Sequence, residues 1–106
     1  MRRVSRATGA AAIAFSLIPG VAFQVEEVRI HLSAAGGAGD LTISLDALTG
    51  ADYDAVFLTQ DMTLVIDLVW QPVRPHNFVA GDGLAIAWAN AGTKTYGLEV
   101  IWSAMP

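Results

Sequence analysis

The sequence contains no cysteine, which excludes a disulfide framework, a thiolate metal site and thiol redox chemistry. Charge is scarce too: charged residues make up 15% of the 106 residues, against about 25% in an average soluble domain. A lone domain of this size exposes much surface for its volume, so part of the outside is expected to be covered by partners. Six basic residues stand against ten acidic ones, for a net charge of −4. Three of the basic residues, Arg2, Arg3 and Arg6, sit at the N-terminus. The rest is more acidic than the total suggests, which argues against a nucleic-acid-binding face. No apolar run reaches the about 20 residues that cross a bilayer as a helix, so no membrane partner is expected.

Helical periodicity longer than a turn is missing as well; the patterning that is present has a period of two. Residues 1–9 read as a basic arm and 10–106 as one β-sandwich domain. Residues 10–18 imitate the core of a secretory signal, but Ile13, Phe15 and Leu17 alternate with Ala12, Ala14 and Ser16. That alternation favours a first strand over a cleaved signal peptide. In residues 23–33, Phe23 and Val25 lie on one parity and Val28, Ile30 and Leu32 on the other. A bulge at Glu26-Glu27 would reconcile them. A glycine-rich loop at 34–39 precedes the clean alternation of residues 41–46. Residues 50–54 read as a polar turn, with at most one turn of helix over 49–54, and 55–59 as a short strand. Residues 64–70, apolar on both parities except at Asp67, suit a strand buried on both faces. Pro72 and Pro75 break the chain there and confine the next segment, around Phe78 and Val79, to an edge. Strands at 84–89 and 95–103 complete seven to eight, with turns every 8 to 12 residues. The fold class is all-β: a single antiparallel β-sandwich, jelly-roll-like.

Residues able to carry chemistry are present but do not assemble into a motif. His31 lies on the parity opposite Val28, Ile30 and Leu32, and His76 sits between Pro75 and Asn77, so both read as surface histidines. No serine stands in a Gly-x-Ser-x-Gly context, and no phosphate-binding glycine loop appears. The loop carboxylates Asp40, Asp52, Asp54, Asp61 and Asp82 lack an Asp-x-Asp-x-Asp-Gly calcium spacing and read as turn residues. No metal, no cofactor and no enzymatic activity are expected. Trp70, Trp88 and Trp102 share parity with apolar strand neighbours and read as core, not as a sugar platform. A carbohydrate-binding or adhesin-type module would instead use Tyr53, Phe78 or Tyr96.

The most informative feature is alanine on the strand faces turned away from the core. Ala85, Ala87 and Ala89 alternate with Leu84, Ile86 and Trp88, and Ala10, Ala12 and Ala14 do the same earlier. A solvent-facing strand ordinarily carries Thr, Lys, Glu or Ser at such positions, whereas small apolar residues admit another surface. These six alanines are the expected interface, with Arg2, Arg3 and Arg6 beside them as contacts for an acidic partner.

The segments Phe23-Gln24-Val25-Glu26-Glu27-Val28-Arg29-Ile30-His31-Leu32-Ser33, the loop and strand at 36–46, and Ala80-Gly81-Asp82-Gly83-Leu84-Ala85-Ile86-Ala87-Trp88-Ala89-Asn90 running on to Tyr96-Gly97-Leu98-Glu99-Val100 resemble small structural proteins of tailed-bacteriophage virions. Those are jelly-roll or sandwich proteins that decorate the head or contribute to fibres and spikes. The resemblance spans residues 8–103 and implies a homo-oligomer, often a trimer, docked on capsid or other virion proteins. It implies a virion location after assembly in the host cytoplasm, with head decoration as the leading role. It transfers no site residue. The apolar Leu64-Val65-Ile66 run departs from its pattern.

Overall fold

Among the residues described by the computed structural model, 2–74 and 76–105, nine strands and one short 3-10 turn form. They are β1 (Arg2–Gly9), β2 (Ile13–Leu17), β3 (Phe23–Leu32), β4 (Asp40–Asp46), β5 (Ala55–Asp61), β6 (Asp67–Trp70), β7 (His76–Phe78), β8 (Gly83–Trp88) and β9 (Tyr96–Ala104), with the turn at Ala51–Tyr53. One sheet has the order β1-β9-β3-β6, and β7 also pairs with β3; the other has the order β2-β8-β4-β5. Every pairing is antiparallel. β6 pairs with β3 at Val28 to His31 and β7 at Phe23 to Val25, so the two are one edge strand interrupted in the middle. With that strand counted once, the chain crosses between the two sheets at every connection except the β4–β5 hairpin, as a jelly roll does. The proline expected to break the chain at Pro75 lies outside the described residues.

Alternation packs the core. β3 turns Phe23, Val25, Val28, Ile30 and Leu32 inward, and the parity change occurs where the β3–β9 register shifts between Val25 and Glu27. Glu26 is the extra residue, so the bulge falls where the sequence places it. β8 contributes Leu84, Ile86 and Trp88, and β9 contributes Leu98, Val100 and Trp102. Phe23 stacks on Phe78 at 4.5 Å and meets Trp102 edge-on at 5.9 Å. Such pairs add about 1 kcal/mol each to their burial. Trp88 and Trp102 are core as expected, whereas Trp70 is half-buried on the edge strand β6.

Four expectations are corrected. Residues 2–9 of the expected arm form strand β1, paired with β9 from Arg2 against Ser103 to Gly9 against Tyr96. The first predicted strand begins only at Ile13, and residues 10–12 are a turn. Residues 64–70 are not a strand buried on both faces: only Asp67–Trp70 is strand, at an edge, and Leu64 is 79% exposed with φ 64°. Leu64 holds that left-handed backbone because its N–H donates to the Gly36 carbonyl (3.0 Å), while Gly36 N–H donates to the Val65 carbonyl (2.9 Å). Finally, His76 is not a surface histidine: it lies in β7, half-buried, with its ring 4.8 Å from those of Phe57 and Phe78.

Two buried polar residues flank β8 and fix the loops at both ends of the sandwich. At one end, the Asp82 carboxylate accepts from Leu48 N–H (3.0 Å) and Val79 N–H (3.2 Å). At the other, the Asn90 amide donates to the carbonyls of Ala11 (2.8 Å) and Lys94 (2.9 Å) and accepts from Lys94 N–H (2.9 Å). Asn90 has φ 49°, a conformation that Asn adopts at little cost.

Two consequences are measurable by chemical denaturation. Asp82→Ala leaves two N–H donors without their acceptor and should cost about 2 kcal/mol; Asp82→Asn, which keeps one acceptor, should lose less, and equal losses would contradict the two-donor role. A methyl group at Gly36 would collide with the Met62 carbonyl oxygen, whereas one at Gly37 meets nothing within 4 Å. Gly36→Ala should therefore cost about 1–3 kcal/mol and Gly37→Ala less than about 0.5 kcal/mol.

Candidate assembly interface

The middle of the outer face of the β2-β8-β4-β5 sheet is built from two rows, with Asp40 opposite Asp61 beyond one and Asp46 beyond the other. Register aligns Ala14, Ala87, Thr42 and Thr59 in one, and Ser16, Ala85, Ser44 and Val56 in the next. Neither row holds a charged side chain. Four strands thus present an uncharged centre of mostly small residues where a free sheet usually carries charge. Of the expected interface alanines, Ala14, Ala85 and Ala87 lie on this face, Ala85 half-buried and the other two exposed. Ala89 is exposed just past β8, and Ala10 and Ala12 are exposed in the β1–β2 turn, not on the strand face.

A second surface carries no residue of the expected interface. The turns at 18–22, 47–54 and 79–82 meet at one end of the sandwich and expose Ile18 (56%), Val21 (46%), Leu48 (68%) and Val79 (61%). Met105 joins them, because its N–H donates to the Ala22 carbonyl (2.8 Å). Leu48 lies over Gly81 and Ile18 over Gly83, so these side chains spread across the glycine-flanked start of β8. Asp82 holds two of the three turns in place. Turns normally carry polar residues, so this group of exposed apolar side chains is a candidate contact surface. The sequence signal was available: Ile18, Val21, Leu48 and Val79 are branched apolar residues close to Pro or Gly.

The outer face of the other sheet is charged. Arg2 pairs with Glu26 (2.7 Å), and Arg6 (2.8 Å) and Arg29 (3.3 Å) share Glu99. Arg2 and Arg6 remain 70% and 74% exposed, so these pairs contribute little to stability. Arg3 points the other way, its guanidinium 5.5 Å from the Trp102 ring. A hollow of about 720 Å³ crosses this face, its walls including Arg6, Thr8, Arg29 and the His31–Asp67 pair, with Gly97 leaving space between them. Tyr53, Phe78 and Tyr96 are not brought together: Tyr53 lies in the exposed 47–54 turn, Tyr96 starts β9 at the opposite end beside Gly9, and Phe78 is 2% exposed. Among the described residues no group of three His, Asp or Glu side chains is placed to hold a metal ion.

Glu27, just after the bulge, is largely covered. It accepts from the Gln71 amide (2.6 Å) and pairs with Arg29. The Gln71 hydrogen bond, with help from Arg29, holds its carboxyl below the ordinary 4.5 against the opposing effect of burial. A depressed folded-state value contributes stability above the unfolded one and loses it as pH falls through the folded value. Glu27→Gln should thus be less stable than wild type at neutral pH, with the gap closing as pH falls below 4.5. Urea midpoints measured across that range test this, and a gap independent of pH would contradict it.

No protein-family model matches the chain, and no curated protein matches it. Among solved structures, one from the acid-stable capsid of Helicobacter pylori bacteriophage KHP30 is similar at a TM-score of 0.51 and 16% identity, covering 96% of this chain and 92% of that one. The Yersinia pseudotuberculosis-derived mitogen matches at 0.45 and 12% identity, covering 99% and 86%. A Bacillus endospore appendage protein matches at 0.46 and 13%, covering 100% and 88%. At 16% identity, the likeness to the phage capsid chain is one of fold.

Proposed function

We propose that the chain is a structural subunit of a phage virion, a head decoration protein that acts by docking on the capsid and on copies of itself, without catalysis. The observation that carries this reading is the apolar end formed by Ile18, Val21, Leu48, Val79 and Met105. Burying it would remove large side chains from water at about 25 cal/mol per Å². Because Asp82 already orders the Leu48 and Val79 turns, docking there costs little further chain entropy. The fold shared with a chain of a phage capsid supports the same reading, as does the uncharged Ala14-Ala87-Thr42-Thr59 row.

The reading is tested in purified virions by quantitative mass spectrometry. The chain is expected in many stoichiometric copies. Leu48→Asp combined with Val79→Asp should leave the melting temperature within a few degrees of wild type while cutting incorporation about tenfold or more. Normal incorporation of the variant would reject the apolar end as the docking surface. Absence from virions, with saturable binding of a monomer on a glycan array, would make the chain a carbohydrate-binding module instead.

A further inference from the structure

The strand order leaves two lateral flanks with unpaired backbone. β1 and β2 are the edges on one flank; β5 and the β6/β7 strand are the edges on the other, where Phe57 of β5 stacks on Trp70 of β6 at 5.9 Å. Edges of this kind pair with other chains unless charge or irregularity prevents it. The charges here differ in sign between the flanks. β1 carries Arg2, Arg3 and Arg6 and no acid, and β2 carries no charge. The opposite flank carries Asp61 in β5, Asp67 in β6 and Asp54 just before β5, against one cation, Arg74, among the described residues. It also carries the half-buried rings of Phe57, Trp70 and His76, with Val56 63% exposed.

We infer that the β1/β2 flank of one copy docks on the β5/β6–β7 flank of a second copy, head to tail. This inference rests on the assembly reading above and names the contact that joins the copies. A two-fold arrangement would set arginines against arginines, or carboxylates against carboxylates; only the heterologous arrangement brings opposite signs together. It also lays the arginines of β1 near an aromatic ledge, where a guanidinium is favourably placed over a ring. Repeated, the contact gives a ring where the rotation between copies closes and a filament where it does not, and in both it leaves the apolar ends outside the lateral contacts.

The contact is tested with two charge-reversed chains, Arg2→Glu/Arg3→Glu/Arg6→Glu and Asp61→Lys/Asp67→Lys, compared by sedimentation velocity. Wild type should sediment as an oligomer, and its association should weaken as salt rises to about 1 M, where the Debye length is about 3 Å. Each reversed chain alone should associate about tenfold more weakly or worse, with its thermal melt confirming the fold. Mixed in equal amounts, the two should assemble again, because each then meets a flank of opposite sign. Reversed chains that keep the wild-type mass, or a mixture that stays dissociated, overturn the head-to-tail contact. If a reversed chain fails to fold, the salt dependence of wild type decides, and association indifferent to salt overturns it. A wild type that is monomeric yet abundant in virions overturns this contact alone; one that is monomeric and missing from virions overturns the structural reading too.

Discussion

The structure depends on the way β8 is anchored at both ends. This strand sits between β2 and β4 in the middle of its sheet and sends Leu84, Ile86 and Trp88 into the core. Just before it, Asp82 holds the 47–54 and 79–82 turns; just after it, Asn90 ties the β1–β2 turn to the β8–β9 loop. Both side chains are buried, 8% and 2% exposed, and buried polar groups of this kind are costly unless satisfied. Here each satisfies two or three backbone groups that the loops would otherwise leave without partners inside the protein. The same two residues therefore stabilise the sandwich and order its ends, which links core stability directly to the shape of the apolar surface.

Much of the fold was legible because sheet physics leaves a period-two record. The parity switch in β3 located its bulge, the alternation at 41–46 located β4, and shared parity put Trp88 and Trp102 in the core. β1 was not legible. Arg2-Arg3-Val4-Ser5-Arg6-Ala7-Thr8 has no apolar face to bury, and only Ser5, Ala7 and Gly9 are even half-buried. Its extended state comes from eight backbone pairings with β9, a tertiary cause without a local sequence signature. The Leu64-Val65-Ile66 run misled for the converse reason. Its composition suits a buried strand, but Gly36 draws it into a turn through two backbone hydrogen bonds and leaves Leu64 outside.

The candidate interface divides in the same way. Alternation identified Ala14, Ala85 and Ala87 as outward-facing, and register then assembled them into a face with residues of β4 and β5 that no single strand reveals. The apolar end could not be read from any one segment, since its members are contributed by turns far apart in sequence. What brings them together is the two-sheet wrapping, which returns the β2–β3, β4–β5 and β7–β8 connections to one end.

The chemistry of these surfaces implies a division of labour between cohesion and direction. Exposed ion pairs are worth little individually, and the arginines of β1 already have carboxylate or ring partners within the chain. In the proposed contact between copies their contribution would be orientation and partner choice, because like flanks repel and unlike flanks attract over the range of a Debye length. Cohesion has to come from apolar area, of which Ile18, Val21, Leu48, Val79 and Met105 supply one group at one end. In the proposed assembly, the apolar end lies apart from the two flanks that carry the charges, so a copy would add laterally in one sense while its end faces a common surface. The proposed decoration role would need that separation, since one surface has to face the shell while others face neighbouring copies.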